Sequence, residues 1–354
     1  MSWLGAVSVE RAYYHCRHCR AGHCPRDGRL GLGAADLSPG AEQAVTLAGT
    51  LGVSFAEAAQ KVLPRLAGLR VAESTVERTT ERVGAELGRR LAAGETFGPD
   101  RDWAGRPDAE GKSCAYVSAD LTGVGMQGPG GAAADGRMAA VAMVDNPGAA
   151  GQSRYVAGLS GGLAALGEPL RRPAAQVGMD RAERWVAISD GGAGIEDWLR
   201  ANFPRVEVVI LDFYHAAEHV SDWCKALHPT DPGAATALAQ EWCHRLKHEG
   251  GAAVLAALEG LDAGGSAGQR EAHRELVGYV RNQAHRMDYP RYRRMGWQVG
   301  SGPVEAACKQ VVNQRLKGSG MRWGEDGADA LCHRRALFRS ELSQWDAFWA
   351  ATAT

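Results

Sequence analysis

The chain has 354 residues, 45% hydrophobic and 23% charged, which fits a globular protein of two or three domains and excludes disordered, coiled-coil and collagen-like classes. No apolar run approaches the roughly 20 residues that cross a bilayer, and the N-terminus lacks the basic stretch and long apolar core of a secretory signal, so we expect no membrane partner, a cytoplasmic location and reduced cysteines. The net charge of −1 hides two basic ends: residues 281–339 carry 12 Lys and Arg against 5 Asp and Glu, and residues 1–30 carry 5 against 2.

Cys16-Arg17-His18-Cys19 has the spacing of a zinc-ribbon knuckle, with Cys24, His15, His18 and His23 beside it. A closed zinc site takes four ligands, so Cys24 or a neighbouring histidine joins Cys16 and Cys19, or the first knuckle lies upstream of Met1 and residues 1–35 are the remnant of a longer ribbon. Bound Zn²⁺ and a metal-free remnant both stay open. Cys114, Cys224, Cys243, Cys308 and Cys332 stand singly and read as buried thiols.

Residues 36–95 read as helical. Ser38 before Pro39, and Ser54 and Ser74 before apolar-periodic runs, mark three helix starts. The segments 54–66 and 74–83, joined around Gly68, have the shape of a helix-turn-helix, to be weighed against a plain helical hairpin. Residues 94–112, rich in Gly, Pro, Asp and Glu, form a linker. Strands follow at 114–120, 137–145 and 153–159 with glycine-rich turns between them, which implies an antiparallel meander. A helix around 163–170, a buried strand at 185–190, a helix through 197–200 and a strand at 206–211 complete the order β-β-β-α-β-α-β. Residues 215–286 look helical, and a last helical stretch starts at Pro303. The predicted class is α/β with a mixed sheet and a helical insertion.

Two motifs have weak context. Gly123, Gly125 and Gly128 match a dinucleotide fingerprint, but Pro129, Gly130 and Gly131 follow where a helix should start, so a hairpin turn is expected. His215, Glu218 and His219 match the H-x-x-E-H zinc-peptidase pattern, whose third ligand could be nominated only arbitrarily, from His248 or Glu249.

A third constellation suits the strand order. An acid on the first strand and one just past the fourth lie side by side, because those strands are neighbours, and Asp120 and Asp190 hold these places. Glu305, in Gly300-Ser301-Gly302-Pro303-Val304-Glu305, starts a helix and would point back across the sheet. Singly each is an ordinary solvated acid. Three converging carboxylates repel one another unless they hold divalent cations, and an oxygen-only set suits Mg²⁺ or Mn²⁺.

Residues 117–124, 188–194, 211–219 and 300–305 together resemble the bacterial insertion-sequence transposases of the ISKra type, members of the Mutator-like group with a ribonuclease-H-like DDE domain. The resemblance covers most of the chain and reaches Tyr13-Tyr14-His15-Cys16, similar to the ribbon upstream in such proteins. It implies a ribonuclease-H-like catalytic domain over 112–215 and 293–345, interrupted by a helical insertion over 216–292. The zinc-ribbon-like remnant at 1–35 and the helix-turn-helix-like DNA-binding region at 36–95 would precede it. Asp120, Asp190 and Glu305 become the catalytic triad and the Mg²⁺ or Mn²⁺ ligands. Asp212 and His215 match the group's C/D-x-x-H signature as supporting residues, with Asp212 able to approach the metals.

The implied activity is phosphodiester hydrolysis and strand transfer at element ends by two metal ions, with DNA as partner and a homo-oligomer assembled on it. Arg315, Lys317, Arg322 and Trp323, just past the glutamate, are expected to contact DNA phosphates, whereas Trp223, Trp242 and Trp297 are expected in the core. A chain that opens inside the ribbon raises the expectation of a truncated copy. The rivals are a ribonuclease-H-like nuclease or DNA-binding protein without transposition, and a zinc peptidase indifferent to Glu305.

Overall fold

Residue 2 and residues 7–30, 37–149, 151–262, 265–341 and 343–352 are described by the computed structural model. A small hairpin, β1 (Tyr14–His15) and β2 (Gly22–His23), comes first. The central sheet follows: the two-residue β3 (Arg106–Pro107), then β4 (Ser113–Gln127), β5 (Ala133–Asp145), β6 (Ser153–Gly158), β7 (Arg184–Ser189) and β8 (Val206–Leu211). The order is β6-β5-β4-β7-β8, with β3 paired to the start of β4. β4, β5 and β6 form an antiparallel meander, while β7 and β8 run parallel to β4 through helical crossovers. The protein is α/β with a mixed six-stranded sheet. No helix among the described residues is long and apolar enough to cross a membrane.

β4 and β5 extend beyond the predicted 114–120 and 137–145 as a two-stranded ribbon, because Val124 and Met126 bury one face of the glycine-rich run. Gly123 and Gly125 lie within β4, and Pro129–Gly131 turns the chain into β5. A strand rather than a helix thus follows the glycines, and the dinucleotide pattern is a hairpin. Gly125 also admits a neighbour: a Cβ there would sit 3.2 Å from Met321 O, and Trp323 N donates to Gly125 O at 3.1 Å.

Side chains alternate along strands, so even-numbered residues of β4, β7 and β8 share one face of the sheet. On that face Tyr116, Val186, Ile188, Val208 and Ile210 lie beneath the helical insertion, and Val124 and Met126 lie beneath the N-terminal helices. Val117, Ala119, Ala187 and Val209 point the other way, onto helices Gly167–Gln176 and Ile195–Asn202. The insertion comprises helices Phe213–Leu227, Pro232–Glu249, Gly251–Glu259, Ala267–Gln283 and Tyr289–Arg294. Trp223, Trp242 and Trp297 are buried in its core, as expected.

The helices of residues 36–95 do not stand apart. Val45, Ala58, Leu63 and Val76 share one apolar core with Val141, Val311 and Leu331. Helix Glu73–Ala92 approaches helix Glu325–Arg339 so closely that a Cβ on Gly84 would lie 2.5 Å from Ala330 O. The apolar face of the expected recognition helix is therefore turned inward, and its outer face mixes Glu73 and Glu77 with Arg78 and Arg82. This region is a layer of the main body.

Asp145, at the far end of β5, is buried, and burial pushes its carboxyl up to about 7. The folded state therefore keeps a proton that the unfolded chain releases near pH 4. Stability from this group is fully present below pH ~4 and is lost as pH rises towards 7. Asp145→Asn is expected to remove that slope, gaining up to about 4 kcal/mol over wild type above pH 7 and little at pH 4. Urea unfolding at both pH values checks this, and equal gains at both would rule out the buried carboxylate as the cause.

Candidate active site

The registers locate the acids. Ser118 pairs with Ile188 between β4 and β7, and Ser189 pairs with Leu211 between β7 and β8. Carried to the strand ends, these registers set Asp120 beside Asp190 and Asp190 beside Asp212, all on the even-numbered face. They fill the gap between the two apolar clusters of that face. Glu305 comes from helix Gly302–Ala307, which is anchored in the core by Val304 and Ala307 and leaves the glutamate exposed. The helix then widens into the π-turn Cys308–Asn313, a distortion that often accompanies functional sites.

Burial first, and then the charges of Asp190 and Glu305, hold the Asp120 carboxyl above its ordinary value, against the opposing pull of Leu121 N (2.6 Å from Oδ1) and the Cys308 thiol. Asp120, Asp190 and Glu305 thus share one electrostatic neighbourhood. The Cys308 thiol is itself pushed up by burial and then by Asp120. Asp190 Oδ1 accepts from Gly192 N at 2.9 Å. Behind it the buried Arg286 donates to Ser189 Oγ at 2.5 Å and pairs with Glu196 at 3.5 Å.

The acids Asp190 and Glu305 act on Asp120, and the donor set is all carboxylate oxygen, which in kind fits a hard divalent ion. Among the described residues, however, no group of three or more His, Cys, Asp or Glu side chains is gathered tightly enough to hold a metal. Glu305 is engaged elsewhere: its Oε1 accepts from Ser301 Oγ at 2.7 Å.

Asp212 departs from expectation. It is 0% exposed and caps helix Phe213–Leu227, Oδ1 accepting from Tyr214 N (2.6 Å) and His215 N (3.3 Å). Oδ2 accepts from Ser301 N (2.8 Å) and lies against the Ser301 hydroxyl. Three backbone N–H donors hold it, and the Ser301 hydroxyl, which has one proton for Asp212 and Glu305 together, lies against the remaining lone pair, so it is a structural clasp. His215 lies in the first turn of that helix with its ring edge-on to His219 at 5.1 Å, and His219 stacks on Tyr279 at 3.8 Å. His248 stacks on His244 and contacts Arg293 instead of joining them. The H-x-x-E-H spacing therefore forms an aromatic contact and no three-ligand set.

The four residues expected at phosphate divide evenly. Lys317 and Arg322 are exposed. Lys317 Nζ donates to Thr122 Oγ1 at 2.7 Å, two residues along β4 from Asp120 and so on the same face. Arg315 is 1% exposed, its guanidinium 4.5 Å from the Phe55 ring and 4.9 Å from the Trp323 ring, and burial pulls it down to about 10. Trp323 is buried with its Nε1 on Leu316 O at 3.0 Å. Both are core residues, because the aromatic faces and the Gly49 carbonyl take up the guanidinium. Arg286, Arg334 and Arg335 are buried too, so much of the basic balance of 281–339 faces inward.

At the N-terminus the hairpin presents Cys16 as a knuckle thiol: N–H donors of Cys19 and His18 lower it below its ordinary value. Cys16 and Cys19 are exposed, and neither Cys24 nor a histidine joins them in a three-ligand group. All eight cysteines are free.

Sequence reasoning missed Ser301 and Cys308, although they lie one helical turn before and after Glu305, a spacing that puts them on its face. Arg286 and Tyr279 come from the insertion and carry no local signal. No protein-family model matches the chain, and no curated protein matches it either.

Proposed function

We propose that the chain is a DNA strand-cleaving and strand-transferring enzyme with a ribonuclease-H-like core, a DDE transposase of the kind its motifs resemble. The observation that best supports this is the neighbouring placement of Asp120 and Asp190 on parallel strands, with Glu305 delivered to the same acidic neighbourhood from a separate helix. Mg²⁺ or Mn²⁺ held by Asp120, Asp190 and Glu305 would supply the Lewis acidity that activates water or a 3′-hydroxyl and stabilises the leaving oxygen. Cys308 orients Asp120, and Arg286 steadies the strand end that carries Asp190. Lys317 and Arg322 bind backbone phosphate by charge, and the Thr122 anchor keeps the Lys317 ammonium near the acids. The Cys16–Cys19 knuckle is proposed as a zinc element, and DNA with a homo-oligomer on it as the partners.

The test is a Mn²⁺-dependent nicking assay on supercoiled plasmid together with a 3′-hydroxyl joining assay. Wild type nicks and joins, and Glu305→Gln loses both. Equal rates in the two proteins would sink the reading, while nicking without joining would leave a nuclease of the same fold.

A further inference from the structure

We propose that Ser301 is the positioning residue for Glu305, with Asp212 acting through it; the idea rests on the metal-site reading above. The two stems of the insertion meet here. Phe213 N donates to Val299 O at 2.9 Å, and Ser301 N donates to Asp212 Oδ2 at 2.8 Å. Gly300 makes the approach feasible, since a Cβ there would lie 3.0 Å from the Tyr214 ring. Ser301 is 2% exposed and fixed at every polar atom: its N–H on Asp212, its carbonyl accepting from Val304 N (2.9 Å) and Glu305 N (3.0 Å), and its hydroxyl between Asp212 Oδ2 and Glu305 Oε1.

The hydroxyl has one proton and two carboxylate neighbours. Asp212 keeps three backbone N–H donors without it, whereas Glu305 has no other hydrogen-bond donor among the described residues. The proton therefore does most for Glu305. It ties Oε1 of an exposed, flexible side chain, leaves Oε2 for a cation, and fixes the direction from which the carboxylate reaches the aspartates. Hydrogen-bonded second partners of this kind set the orientation of metal-ligating carboxylates.

Calorimetric titration of Mn²⁺ into the full chain tests it, with melting temperature in EDTA as the measure of folding. Ser301→Ala is expected to weaken Mn²⁺ binding about 10- to 100-fold, and Ser301→Thr, which keeps the hydroxyl, to stay within about threefold of wild type. In a Glu305→Ala background Ser301→Ala should cost nothing further, because the side chain that its hydroxyl holds is gone. Unchanged affinity in Ser301→Ala, or the same loss in both backgrounds, overturns the proposal. Should Ser301→Ala fail to fold, a folded Ser301→Thr with weakened binding overturns it as well. Mn²⁺ binding that Glu305→Gln leaves intact would instead defeat the metal-site reading itself.

Discussion

Asp120→Asn is expected to lower Mn²⁺-dependent nicking by more than about 100-fold, at least the loss that follows removal of a mere supporting partner of a metal ligand. The same change should raise the melting temperature of the metal-free protein. Asp120 is partly buried, and burial together with Asp190 and Glu305 already lifts its carboxyl. A group raised in this way gives its stability below the ordinary carboxylate range and loses it as pH rises, so a neutral isostere helps most near neutrality and least near pH ~4. Plasmid affinity should be retained by Asp120→Asn and reduced by Lys317→Ala with Arg322→Ala, most at low salt, because fewer phosphate contacts also mean a shallower salt dependence. Nicking within about tenfold of wild type would sink the catalytic assignment. An unchanged melting temperature would mean that neither burial nor the neighbouring acids disfavour the Asp120 carboxylate.

Arg184→Ala is expected to destabilise the fold by about 3–5 kcal/mol, because it strands a buried charge. Arg184 opens β7 and meets three acids: Glu207 Oε2 at 2.8 Å, Asp108 Oδ2 at 2.8 Å as an ion pair out of line for a hydrogen bond, and Glu110. Its guanidinium also lies 5.6 Å from the Trp297 ring. It therefore ties the approach to β4, the start of β8 and the exit of the insertion to one strand. The Asp108 side chain is 0% exposed. Burial raises that carboxyl, but the N–H donors of Lys112 and Glu110 and the Arg184 charge outweigh it and leave the group below its ordinary value. That part of the stability is present above pH ~4 and is lost on further acidification. Arg184→Lys should recover only a fraction, since an ammonium cannot span three carboxylates. Denaturant midpoints for the three proteins decide it, and a lysine variant equal to wild type would show that charge alone suffices.

These effects were unequally legible. The places of Asp120 and Asp190 follow from strand order, because the two lie on neighbouring parallel strands and alternation then fixes their common face. The hairpin role of Gly123, Gly125 and Gly128 was legible too, since Pro129 and its neighbours block a helix start. The split between Lys317 and Arg315 was not. Both sit in one basic run, and only the Phe55 ring, far away in sequence, shows that Arg315 faces inward. Asp212, expected as a supporting residue, looked able to approach the metals because it ends its own strand beside Asp190. The Ser301 N–H and hydroxyl that close on it arrive only after the whole insertion has returned to the sheet.

The sequence by itself determined the α/β class, the strands of the meander and the two crossover strands, the helical insertion and the three acids to examine. Those features depend on local periodicity and on residues next to one another in the chain. Only the tertiary structure decided that the N-terminal helices are a layer of the main core, that Asp212 is a clasp, and that Glu305 is held by Ser301. Each of these is a contact between segments distant in sequence, and the packing that selects such partners leaves no periodic trace in either segment alone.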